Sequence, residues 1–255
     1  MLNELRHRDP LLFWVGAANL LVLIVCALLS IGDQRLVLGI SVWIKPMKFL
    51  ISVAMFLWTM AWFTPETTSP RLQKAISRLI AVMMSLEIVS ILGQAARGTT
   101  SHYNNSTPLD EVVFALMGIA IMIVTVAVGV FLATVRRDTP PHRAGYLWGM
   151  RAGLFIFLLA CLQGGILVAN NAHTVGAPDG GPGLPFVNWS TEFGDLRIAH
   201  FVGLHALQVL PLLGFLLDKF RAPARNLVLA VSILWLAVMG GLLAMAMQGR
   251  PLVAL

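Results

Sequence analysis

Charge is scarce in this chain. Only 12% of its 255 residues are Asp, Glu, Lys or Arg, where an ordinary soluble domain has about 25%. So few charges cannot coat a soluble globule, and so apolar a chain is not a disordered tail. Cysteine is nearly missing. Cys26 and Cys161 both lie inside apolar runs and no Cys-x-x-Cys exists, which excludes a disulfide framework and a thiol–disulfide function. Basic residues outnumber acidic ones for a net charge of +6. They form no stripe interleaved with aromatics, so a nucleic-acid partner is not expected. There is no glycine-rich phosphate loop and no Gly-x-Ser-x-Gly. The last apolar run has no lysine, which removes a retinal Schiff base. No cleavable signal peptide is expected, because the run from Leu11 to Ile31 is longer than a signal's apolar segment.

Apolar residues are abundant, at 58%. A helix needs about 20 of them to cross a bilayer. Seven runs qualify, near residues 11–31, 42–63, 77–96, 111–135, 146–170, 197–217 and 226–247. The expected fold is all-α: a polytopic membrane bundle of seven transmembrane helices, one integral membrane domain over residues 1–255, set in the cell membrane. Pro46 suits the first turn of the second span, with residues 36–44 as its lead-in. Thr107, Pro108, Asp110 and Glu111 make a helix start for the fourth. The segment 171–196 is rich in Gly, Pro and Asn and predicts a long loop with little regular structure. Gly149-x-x-x-Gly153 and Gly240-x-x-x-Ala244 read as helix-packing pairs.

If the spans alternate, Arg6, Arg8, Arg71, Lys74, Arg78, Arg136, Arg137, Arg143, Arg151, Lys219, Arg221 and Arg225 fall on one side. Arg35, Lys45, Lys48, Arg97, Arg197 and Arg250 fall on the other. The positive-inside rule then puts the N-terminus in the cytoplasm and the C-terminus outside.

Polar groups inside a span are costly and mark candidate sites. Glu87 reads as ten residues into the third span, near mid-membrane. His205 reads as lying at similar depth in the sixth, with Gln208 one turn further and Gln163 in the outer part of the fifth. Glu87 and His205 are thus candidates for a carboxylate–imidazole pair that passes a proton or holds a cation. His200 and His205 point about 140° apart on a helix, so they are not co-ligands, and no metal-ligand spacing exists. Lys45 and Lys48 at a helix start could hold an anion, with Arg97 nearby at the outer side. Asp195 and Arg197 straddle the start of the sixth span and can cap it. Gln94 and His102 complete the outer polar set. Ser101 beside His102 is no signature of a hydrolase, since neighbours in sequence rarely form a nucleophile–base pair.

Three stretches carry a resemblance: Trp43, Lys45, Pro46, Lys48 and Phe49; Gly93, Gln94, Arg97, Gly98, Ser101, His102, Tyr103 and Asn104; and Gly194, Asp195, Arg197, His200, Phe201, Gly203, His205 and Gln208. They resemble uncharacterised bacterial multi-pass membrane proteins, which implies a bacterial inner-membrane location and no particular activity. The seven-helix plan is also similar to the progestin/adiponectin-receptor and haemolysin III group. That group's zinc site is cytoplasmic, whereas these histidines gather on the outer side, so its activity is not carried over. The expected function is an outward-facing polar cavity for a small polar or anionic ligand, as in a transporter or sensor, with Glu87 and His205 for proton coupling. One alternative is a membrane oxidoreductase or b-type haem carrier using His200 or His205, with His102 as the ligand from another element. Another is an accessory subunit whose polar groups meet a membrane-protein partner.

Overall fold

Helix starts in this chain follow a simple rule of side-chain capping and proline placement. Asp9 accepts a hydrogen bond from Leu12 N at 3.1 Å, and Pro10 opens the helix behind it. Ser69 accepts from Leu72 N, and Pro70 follows. Thr107 Oγ1 accepts from Asp110 N at 3.2 Å ahead of Pro108. In each case a hydroxyl or carboxylate satisfies an amide that the helix itself cannot, and proline supplies a preset φ without wasting a donor. The computed structural model describes residues 2–136, 140–220 and 224–254, with no account of the Pro141 side chain. Arg137 and Arg221, counted above for orientation, lie outside the described residues.

The helices are α1 (Leu2–Arg8), α2 (Pro10–Gly32), α3 (Ile44–Phe63), α4 (Pro70–Ala96), α5 (Pro108–Thr134), α6 (Ala144–Asn170), α7 (Leu196–Lys219) and α8 (Ala224–Met247). All but α1 are long and apolar enough to cross a membrane, and the chain is an all-α protein of the multi-pass membrane kind. Six begin within a few residues of where hydropathy puts them. The exception, α4, starts at Pro70 rather than near 77, because its first two turns carry Arg71 and Lys74 and look like loop. The lead-in to α3 is a hairpin, Leu36–Val37 against Ile40–Ser41. Its turn residues Leu38 and Gly39 have φ of 52° and 78°, the left-handed pair that matches strand twist. The loop expected to have little regular structure holds one small ladder, Thr174–Val175 against Gly194–Asp195.

The chain packs as two compact units, Met1–Thr134 and Val135–Leu255. In the first, α2 lies on α3 and α4 on α5, with α3 and α4 joining the pairs. Leu12, Leu50, Leu57, Met60, Ile80, Ile91, Met117 and Phe131 are among its fully buried side chains. Trp58 donates to the Phe13 carbonyl at 3.0 Å and lies over Gly16, where any larger residue would strike the indole. In the second unit, α6 and α7 form the tightest pair. Gly145, Gly149 and Gly153 press backbone against Gly214, the Leu210–Pro211 carbonyl region and Ala206. Asp218 accepts from the Gly145 and Tyr146 amides, both at 2.8 Å, and so caps α6 from the end of its neighbour. Ile156, Ala160, Leu210 and Met239 fill the space beyond. Large apolar side chains such as Ile31, Val89, Met122 and Ile233 point outward, as surfaces facing acyl chains do.

The packing role expected for Gly149 and Gly153 is present, but that expected for Gly240 is not. A methyl group on Gly240 would meet no atom of another element within 4 Å. Gly149→Val should therefore destabilise the second unit by about 1–3 kcal/mol through overpacking, while Gly240→Val should change little. Thermal unfolding in detergent, followed by tryptophan emission, would separate the two. Equal shifts would contradict the glycine contact.

Candidate functional site

In the first unit, polar side chains from three helices and two loops gather at the end bearing residues 33–43 and 97–107. Glu87 lies on α4 nine residues before Ala96, about 14 Å from that end at the helical rise. It is therefore just past the middle of α4, on the side of this end. It is 2% exposed. Gln94, seven residues on, falls on the same stripe of α4. The loop that follows reverses at Gly98, with φ of 73°, and again at Tyr103, with φ of 54°. Asn104 ties it, donating to Thr99 Oγ1 and the Thr100 carbonyl, both at 2.9 Å. These bonds bring His102 back over α4.

His102 Nε2 lies 4.0 Å from Glu87 Oε1, and His102 Nδ1 lies 3.1 Å from Ser101 Oγ. Phe49, Tyr103 and Phe114 surround the imidazole, with ring centroids at 5.6, 6.1 and 6.1 Å. Glu87 Oε2 is buried and has no hydrogen-bond partner among the described residues. Lys45, half-buried in the first turn of α3, is close enough for its charge to act on Glu87. Its ammonium is 6.0 Å from the Phe49 ring centre. Lys48, one turn on, is half-buried as well. The sequence reading paired Glu87 with a histidine of the other unit. Within its own unit the carboxylate faces His102, a residue of the loop between α4 and α5.

Beside this pair is a closed cluster. Asp110 Oδ1 accepts from Gln94 Nε2 at 2.8 Å and Arg97 at 2.6 Å, and Oδ2 accepts from Thr107 Oγ1 at 2.6 Å. Arg97 also donates to Gln94 Oε1. Gln94 and Arg97 thus fasten the end of α4 to the start of α5. Arg35 does the same for the α2–α3 hairpin. It pairs with Asp33 at 2.6 Å and donates to the Ala96 carbonyl at 2.9 Å. Trp43 Nε1 donates to Asp33 at 2.9 Å.

The second unit holds the other sequence candidates. Asp195 caps α7 as expected, accepting from the Arg197 amide at 3.0 Å and the Ser190 amide at 2.9 Å. The Arg197 guanidinium grips the same carboxylate at 2.5 Å and donates to the Asn188 carbonyl. Gln163 Nε2 donates to the Leu196 carbonyl at 3.1 Å, while Gln163 Oε1 is buried without a hydrogen-bond partner among the described residues. His200 Nδ1 donates to the Ala160 carbonyl at 2.8 Å. His205 Nδ1 donates to the Phe201 carbonyl at 2.7 Å, its ring 3.9 Å from that of Phe201. Gln208 is half-buried one turn below. The two histidines are divergent rather than convergent. Among the described residues no three His, Cys, Asp or Glu side chains gather as a metal-holding group.

One clasp has no sequence signal beyond a polar loop. Asp179 accepts from the His173 and Thr174 amides at 3.0 and 2.9 Å and from His173 Nδ1 at 2.6 Å. Burial would raise its pKa, but the His173 hydrogen bond and charge outweigh it and hold the carboxyl well below the usual range.

No protein-family model, curated protein or solved structure matches this chain. The fold defines it as a helical membrane protein.

The Asp33 carboxyl is likewise held well below the usual range, first by the Arg35 side-chain hydrogen bond. A depressed carboxylate contributes stability above its unfolded pKa of about 3.9 and loses it as pH falls toward the folded value. Release of Trp43, with a shift in its emission, should therefore come only at a pH well below the ordinary carboxylate range. The shift should be missing in Asp33→Asn, measured as a difference spectrum against the parent protein. An identical acid transition in both would refute the clasp.

Proposed function

We propose that this is a transporter- or sensor-like protein of a bacterial inner membrane, its N-terminus cytoplasmic, with Glu87 and His102 forming the protonatable part of a site for a small polar or anionic ligand near the outer face. The supporting observation is the buried Glu87 carboxylate, one oxygen lacking a hydrogen-bond partner among the described residues, facing an imidazole at 4.0 Å. Buried polar atoms are normally satisfied, and one left open inside a span suggests a ligand or a proton. Lys45, Lys48 and His102 supply positive charge for an anion. An entering anion would add a second negative charge beside Glu87 in a poorly solvated place. The repulsion between two such charges favours uptake of a proton with the anion.

The probes are acetate and inorganic phosphate, scored by thermal stabilisation of the detergent-purified protein on both sides of neutrality. One proton taken up per anion changes affinity by about tenfold per pH unit. Glu87→Gln should flatten that dependence and leave the fold intact. The same pH dependence in variant and parent would overturn the reading.

A second reading has its own observation. His200 and His205 each donate Nδ1–H to a carbonyl, at 2.8 and 2.7 Å. That leaves Nε2 with its lone pair, the form of imidazole that binds iron. Under this reading the protein carries b-type haem. A Soret band that shifts on dithionite reduction, and is lost in His200→Ala or His205→Ala, is then expected. A protein that stays colourless after haem is added back excludes it.

A further inference from the structure

A groove of about 550 Å³ opens on the surface of the first unit, lined by Pro10, Leu11, Trp14, Val15, Ala18 and Ser85. Its walls are α2 and the middle of α4. Leu11 and Trp14 are 41% and 58% exposed, so the groove faces outward. It runs along α2 from Pro10 to Ala18, about 12 Å at the helical rise. That is close to half of a hydrocarbon core of about 30 Å, the depth of one leaflet.

The mouth of the groove has a definite level on α4. Ser77 donates to Asp9, the residue before Pro10, so Ser77 and Arg78 stand beside the start of α2. Arg78 and Ser85 are seven residues apart and share one stripe of α4, with Lys74 one turn below. Arg78 and Lys74 are exposed, as are Arg6 on α1 and Arg71 at the start of α4. The acids here are already engaged. Glu4 and Glu66 lie 3.0 and 3.9 Å from Arg8, and Asp9 accepts from Ser77, Thr64 and Leu12. An apolar trough one leaflet deep therefore ends at a surplus of positive charge.

We propose that this groove is a binding site for an anionic phospholipid, one acyl chain along Leu11, Trp14 and Ala18 and its phosphate at Arg78 and Lys74. The apolar wall suits the chain, and the basic mouth selects the headgroup. Neither depends on which way the protein is inserted or on the Glu87 site.

Trp14 reports on the groove directly. The full-length protein is placed in phosphatidylcholine vesicles containing a small fraction of either phosphatidylglycerol or phosphatidylcholine with brominated acyl chains, which quench tryptophan on contact. The Trp14 signal is the difference between the parent protein and Trp14→Phe. Phosphatidylglycerol should be enriched at the groove by about fivefold for each basic residue engaged at low salt, giving the stronger quenching. Arg78→Ala with Lys74→Ala should bring it down to the phosphatidylcholine level. Equal quenching by the two headgroups in the parent protein would overturn the selectivity. Absence of Trp14 quenching by either lipid would overturn the site and point to another protein segment in the groove.

Discussion

A polar group inside an apolar helix has no water to turn to, and the arrangement of acids in this protein follows from that constraint. Asp9 and Asp195 sit at the first amides of α2 and α7, and Asp218 supplies the same service to α6 from the end of α7. Asp110, in the first turn of α5, is closed by Thr107, Gln94 and Arg97. At a helix start a carboxylate meets free N–H groups and the positive end of the dipole, so ionisation there is favourable. Glu87 has neither. It lies well inside α4, where every backbone amide is already used, and the groups that meet it come from other elements. That contrast separates it from the structural acids.

The arginines divide from the lysines on similar grounds. Arg35, Arg97 and Arg197 each use the planar fork to hold a carboxylate and a second acceptor. Each joins a loop to a helix end, and the guanidinium acts as a two-sided fastener. Lys45 and Lys48, with point charges on flexible stems, make no such fork. They stand half-buried in the first turn of α3 beside the aromatic cluster around His102. The charge of Lys45 acts on Glu87.

Much of the fold was legible because apolar runs of this length have one stable solution in a bilayer. The start of α4 was not, since Arg71, Lys74 and Arg78 resemble a loop until Ser69 and Pro70 are recognised as cap and first residue. The cap role of Asp195 could be read directly, being local. The approach of His102 to Glu87 could not. His102 is brought to it by two left-handed backbone positions and the Asn104 bonds, none of which shows in hydropathy. The shared stripe of Glu87 and Gln94 was a usable clue, because it aims Glu87 at whatever loop Gln94 faces. The packing pair Gly149 and Gly153 and the idle Gly240 look alike in sequence, as spacing alone does not say which face meets a neighbour.

The α6–α7 contact is made largely by glycine and main chain. Docking two helices through leucine or methionine side chains freezes rotamers on both partners, a loss of up to about 2 kcal/mol for each long side chain. Where hydrogen atoms on Cα meet a carbonyl, there are no rotamers to lose. This stretch of the α6–α7 seam in the second unit is therefore opposed by little side-chain entropy.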